Sequence, residues 1–106
     1  MRTASQLQDA VQSHKFAVVD FAKRNNCVWC KRLEPHFKAV ASKFEDVLFA
    51  VMHLDEVEQT DFFDVIDQYH VLQTPTVIFF SDGDWIAVEG RTAPVLQKEI
   101  EGLINE

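Results

Sequence analysis

Phe16-Ala17-Val18-Val19-Asp20-Phe21, a short polar link, then Cys27-Val28-Trp29-Cys30-Lys31-Arg32-Leu33: how this stretch is read decides the fold. The first six residues are an apolar run of strand type carrying one acid near its end. Beyond the cysteines, Leu33, Phe37, Val40 and Phe44 recur at three- to four-residue spacing, which predicts a long helix. Pro35 falls inside it and, lacking an N–H, is expected to kink it. A cysteine pair therefore sits between a strand and a helix. These are the only two cysteines of the chain. A secreted disulfide scaffold needs more of them, spread more widely, and a structural zinc site needs four ligands. On count alone a redox pair leads.

Outward from this centre the elements alternate. Ser5 to Val11 reads as a capped amphipathic helix with Leu7 and Val11 four apart. Val47 to Leu54 is an apolar run continuous enough to predict a strand buried on both faces. Asp61 to Tyr69 is helical, with Phe62, Val65, Ile66 and Tyr69 on one side. Thr76 to Phe80 is a strand, Asp82-Gly83-Asp84 a hairpin turn, and Trp85 to Glu89 the antiparallel partner. Thr92 is placed to cap a last helix with Val95, Leu96, Ile100, Leu103 and Ile104 as its apolar positions. The order α-β-α-β-α-β-β-α implies an α/β domain: a central mixed sheet of four to five strands with helices on both faces. Met1 to Thr3 is a candidate for the extra edge strand. With 106 residues there is room for one domain, residues 1–106, and one core.

The spacing of Cys27 and Cys30 suits reversible disulfide chemistry, because it brings two sulfurs within bonding reach without remodelling the backbone. At a helix start Cys27 faces free N–H groups and the positive end of the helix dipole, which favour the nucleophilic thiolate. Lys23, Arg24, Lys31 and Arg32 flank the pair and would stabilise the thiolate further and attract acidic partner surfaces. Cys27 is the expected attacking thiol and Cys30 the resolving one.

The net charge of −7 is unevenly spread. Met1 to Lys43 carries eight Lys/Arg against three acids, whereas Phe44 to Gly90 carries eleven acids and no Lys or Arg. So acidic a chain argues against nucleic acid as a partner, and the acidic half reads as a solvated surface. No apolar run approaches the ~20 residues that span a bilayer, so no membrane association is expected. The first residues carry no apolar signal segment. A cytoplasmic location is the expectation, with the endoplasmic reticulum lumen or periplasm as alternatives had a signal peptide been removed.

Several motifs together make the resemblance specific. Val19-Asp20-Phe21, the CxxC-Lys motif, Pro35 five residues after Cys30, and Thr74-Pro75-Thr76 ahead of a strand resemble thioredoxin over nearly the whole chain. The resemblance implies a thioredoxin fold and a thiol–disulfide oxidoreductase working through a mixed disulfide, with no cofactor beyond the redox-active Cys27–Cys30 disulfide and no metal. It implies that Pro75 follows a cis bond, that Thr74 presents backbone to an extended partner peptide, and that Asp20 is a buried proton acceptor for Cys30. Cys30 to Phe37 and Glu89-Gly90-Arg91-Thr92-Ala93 are similar to a catalytic domain of protein disulfide isomerase. That likeness implies that Arg91 swings toward Cys30 and lowers its pKa; a surface arginine at a helix start is the equal alternative. The partners implied are disulfide-containing proteins and an electron donor such as a thioredoxin reductase or glutathione, acting on a monomer.

The chain departs from the family pattern in three places. Asn25-Asn26 stand where a tryptophan usually precedes the first cysteine, and one extra residue separates Asp20 from Cys27. Val28-Trp29 fill the motif in place of the usual inner pair, which points to an intermediate to reducing potential. Trp29 is then a candidate partner-docking residue. The strand before Asp55 reads Val51-Met52-His53-Leu54, without the lysine the family often places there. Two other functions stay open: an isomerase-like oxidase, and a binding or adaptor module that keeps the fold without redox turnover.

Overall fold

Six of the seven residues of β1 (Phe16–Ala22) are buried, because this strand has a neighbour on each side. The computed structural model describes residues 1–105. Along the chain run α1 (Ala4–Gln12), β1, α2 (Val28–Ala41), β2 (Val47–His53), a 3-10 turn (Leu54–Glu56), α3 (Gln59–Tyr69), β3 (Thr76–Ser81), β4 (Asp84–Val88) and α4 (Ala93–Ile104). The sheet order is β2-β1-β3-β4. The α2 crossover makes β1 and β2 parallel, while β3 runs antiparallel to both β1 and β4. This is the expected mixed sheet, with four strands.

Strand alternation sorts the core into two layers. Ala17, Val19 and Phe21 face Leu7 of α1 and Val65 and Tyr69 of α3. Val18 points the other way, toward Leu33, Phe37 and Val40 of α2 and Leu96 and Ile100 of α4. The period of two then puts Asp20 and Ala22 on the α2 side as well, so the single acid of β1 lies under the start of the cysteine helix.

Five expectations need correction. Val47–Leu54 is not buried on both faces: β2 is an edge strand with only Met52 fully covered, since no further strand lies beyond it. Phe44 is not helical, because α2 ends at Ala41; its ring instead stacks on Phe49 of β2, 6.0 Å away. Met1–Thr3 forms no strand; the Arg2 carbonyl accepts a single bond from Glu58 N at 2.7 Å. The cap of α1 is Thr3, not Ser5, through a capping box in which Thr3 Oγ1 accepts from Gln6 N and the Gln6 side chain returns to the Thr3 backbone. Val95 is exposed, on the outer side of α4. The hairpin, by contrast, has the turn its sequence demands, with positive φ at Asp82 and Gly83.

Thr92 occupies the N-cap of α4, but its side chain makes no capping bond. His36, on α2, does the work across the interface: its Nδ1 accepts from Ala93 N at 2.9 Å. The acceptor must be the unprotonated nitrogen, which puts the ring proton on Nε2. His36→Ala is therefore expected to cost about 1 kcal/mol of stability, as losing a cap does, and Thr92→Ala distinctly less. Urea denaturation midpoints of the two variants check the order, and a larger loss for Thr92→Ala would refute the assignment.

Candidate active site

Cys27 is the N-cap of α2 and Cys30 lies one turn in, a placement that follows from where β1 ends. The two form a disulfide, with Cα atoms 5.3 Å apart. Cys27 Sγ accepts the Cys30 amide at 3.2 Å, so the first sulfur sits where the helix offers an unpaired N–H. The same sulfur lies 3.5 Å from Thr74 Oγ1. Cys30 faces inward, its sulfur 3.5 Å from Lys23 N. Thr74-Pro75 is cis, as the resemblance implied, and brings the loop before β3 against Cys27.

The lead-in loop, with its asparagines in place of tryptophan, is held from outside. Asp55 accepts from Arg24 N and Asn25 N, both at 3.0 Å, and Arg24 pairs with Glu56. The Arg24 amide in particular keeps the Asp55 carboxyl below its ordinary value. Asn26 takes a left-handed conformation, φ 58°, which asparagine tolerates better than most residues. The extra residue ahead of Cys27 is thus absorbed in a fastened turn.

Asp20 is 3% exposed, and its Oδ1 has no hydrogen-bond partner. Burial raises its pKa from 3.8 to about 7, opposed by the charge of Arg91 and assisted by that of Glu34. It lines a cleft of about 360 Å³ together with Cys30, Lys31, Glu34, Val51 and His53. The structure thus brings Asp20, Cys30 and Lys31 together behind the disulfide. On the other side, Trp29, Thr74, Pro75 and Arg91 line a second groove of about 500 Å³.

Arg91 is therefore not in the cleft with Cys30. Its guanidinium is held by the carbonyls of Val88, Gly90 and Pro75, and acts on Asp20 through charge alone. The segment bends tightly there because Gly90 has no Cβ, which would stand 2.9 Å from Leu96 N. Of the other cations, Arg24 is turned to Glu56, Arg32 lies over the Trp29 ring at 4.8 Å, and Val51 faces Asp20 across the strands where a lysine is absent. Sequence reasoning missed Asp55, Glu34 and His36. Each acts across elements far apart in the chain, and only the acid of the strand-end Leu54-Asp55-Glu56 carried a local hint, as a turn-forming residue.

Among the described residues no group of His, Cys, Asp and Glu is arranged to hold a metal, and no helix is long and apolar enough to cross a membrane.

Ionising Asp20 costs free energy in the folded chain that the unfolded chain does not pay. The contribution of this one group is then most favourable below pH 4, falls as pH rises from about 4 to 7, and stays at the lower level above. Asp20→Asn should raise the stability of the oxidised chain by on the order of 3 kcal/mol at pH 8 and by little at pH 4. Urea unfolding at the two pH values measures the difference; equal gains at both would remove the buried carboxyl as its source.

The chain that carries this strand–CxxC–helix unit is similar to known proteins. The family model described as Thioredoxin matches residues 1–105. Thioredoxin-2 of Pyricularia oryzae is 32% identical over 98 residues, covering 92% of this chain and 54% of that protein. Thioredoxin of Mycoplasmoides gallisepticum is 34% identical over 79 residues, 74% of this chain and 73% of that one. The chain spans about half the length of the first curated relatives it matches. In structure, the thioredoxin of Trypanosoma brucei brucei superposes with a TM-score of 0.81 at 23% identity, covering 100% of this chain and 89% of that chain. The match over residues 1–105 establishes that the chain belongs to the thioredoxin family.

Proposed function

We propose that this chain is a thiol–disulfide oxidoreductase that reduces protein disulfides. The observation that carries the reading is the Cys27–Cys30 pair at the α2 N-terminus with the buried, unpartnered Asp20 behind it. In the reduced chain the Cys27 thiolate attacks one sulfur of a partner disulfide. A Cys27–partner disulfide forms, and the partner's second sulfur leaves as a thiolate and takes a proton. Cys30 then gives its proton to the Asp20 carboxylate, attacks Cys27 Sγ and closes the intramolecular disulfide. The first partner sulfur leaves as a thiolate and takes a proton from the Asp20 carboxyl or from water. The partner gains two electrons and the dithiol loses two. A thiol donor, a thioredoxin reductase or glutathione, reverses the exchange and restores the dithiol.

The geometry also suits protein substrates. Val28, Trp29 and Leu72 form an exposed apolar rim (63%, 65% and 90%) on the two segments that meet at Cys27. Thr74, at the contact with that sulfur, is placed to present backbone to an extended segment. The reductant reading is favoured over the isomerase-like one by Arg91, which three backbone carbonyls, that of Pro75 among them, hold outside the Asp20 cleft. A binding module without turnover has no use for an acid kept unpaired behind a dithiol.

Reduction of insulin by the chain and a dithiol donor tests the proposal. Cys27→Ser should abolish turnover, and Cys30→Ser should stall with partner bound to Cys27, visible by mass spectrometry. Asp20→Asn should slow disulfide closure roughly tenfold to a hundredfold and remove a rate increase centred near pH 7. Full activity of Cys27→Ser would overturn the reading.

A further inference from the structure

The groove beside Cys27 differs in charge from the cleft behind Cys30. The cleft contains the carboxyls of Asp20 and Glu34. The groove, lined by Trp29, Arg32, His36, Thr74, Pro75 and Arg91 among others, contains no carboxylate at all. It has a guanidinium on each flank, Arg32 from α2 and Arg91 from the segment before α4. Among the described residues neither is in a salt bridge; the pairs present are Arg24–Glu56 and Lys38–Glu34.

Both guanidiniums are held without being neutralised. Arg32 rests on the face of the Trp29 ring, a contact that fixes position and leaves the charge unpaired. Arg91 spends three donors on carbonyl oxygens: both hydrogens of Nη1 on Val88 and Gly90, and one of Nη2 on Pro75. Its Nε–H and its second Nη2–H remain for an incoming acceptor. The carbonyl it grips belongs to Pro75 itself, next to Thr74, whose hydroxyl is 3.5 Å from Cys27 Sγ. A cation is thus anchored to the very loop that would receive the partner backbone.

We propose that this groove selects protein partners by charge, taking an Asp or Glu side chain within two residues of the cysteine that Cys27 attacks. The inference rests on the oxidoreductase reading and adds the chemistry of the preferred substrate. Arg91 and Arg32 are its specificity-determining residues. A planar guanidinium with two free N–H groups suits a carboxylate, and the surrounding aromatic and proline surfaces strengthen the contact by excluding water. Basic segments are disfavoured by the same charges.

The test uses the pre-reduced full chain in single turnover, with synthetic peptides closed by an internal disulfide. One series places Glu in turn at each of the two positions on either side of the attacked cysteine; the matched series has Gln. At low ionic strength the best-placed Glu peptide should be reduced roughly fivefold to tenfold faster than its Gln twin. That ratio should fall toward one at ~0.5 M salt. It should shrink in Arg32→Gln and in Arg91→Gln, reach about one in the double variant, and be only partly kept in Arg91→Lys, which keeps the charge and loses the fork. The ratio within each variant cancels any change in the dithiol itself. A ratio near one at every position in the natural chain, or one undiminished in the double variant, overturns the proposal. Failure to reduce either peptide series defeats the oxidoreductase reading first, so the two failures are distinguishable.

Discussion

Everything at this site depends on a carboxyl group that has been denied a partner. Asp20 sits in the central strand, on the face covered by α2, with one oxygen unbonded and its pKa raised by desolvation. The burial of that group depends on the elements packed around it. β1 is paired on both edges, α2 is packed over it by Leu33, Phe37 and Val40, and the disulfide closes the top. The opposed influences of Arg91 and Glu34 then set where between acid and neutral range the carboxyl titrates.

The disulfide divides two environments. Behind it is a cleft with a buried acid whose pKa is raised. Beside it is a groove with cations outside any salt bridge among the described residues, an aromatic ring and the Thr74-Pro75 loop. The division arises from geometry at the helix start: the N-cap position turns Cys27 toward the loop before β3, and the third helical position turns Cys30 toward β1. One turn of helix separates the outer sulfur from the inner one.

How much of this was legible in the sequence differs from residue to residue. Element order and sheet type followed from periodicity, because each helix buries one face and the central strands are apolar throughout. Cys27 and Cys30 followed from their spacing and flanks, and the burial of Asp20 and the setting of Thr74-Pro75 from resemblance. Edge and centre were not legible. Val47–Leu54 and Phe16–Phe21 have equally apolar sequences, yet only the second has strands on both sides. Phe44 kept the helical spacing past the end of α2 because its ring is needed against Phe49. Spacing reports which side chains must be buried, not which backbone buries them. Arg91 was undecided for a similar reason: three backbone carbonyls hold it, and no pattern of side chains announces them.

The same limit explains His36. A lone histidine on a helix gives no sign of its partner, and its partner is the first turn of another helix 57 residues away. Yet that bond ties the active-site helix to the segment carrying Arg91. Glu99 of α4 reinforces it from the far side by accepting from the amides of Glu89 and Gly90, the residues just before Arg91. Arg91 in turn holds the Pro75 carbonyl. A continuous set of bonds therefore runs from α2 through the start of α4 to the cis-proline loop, adding α2 to the two segments that the β3–β4 ladder already brings together at Val77 and Val88. The elements flanking the groove are bonded to one another, while its two guanidiniums stay outside any salt bridge among the described residues.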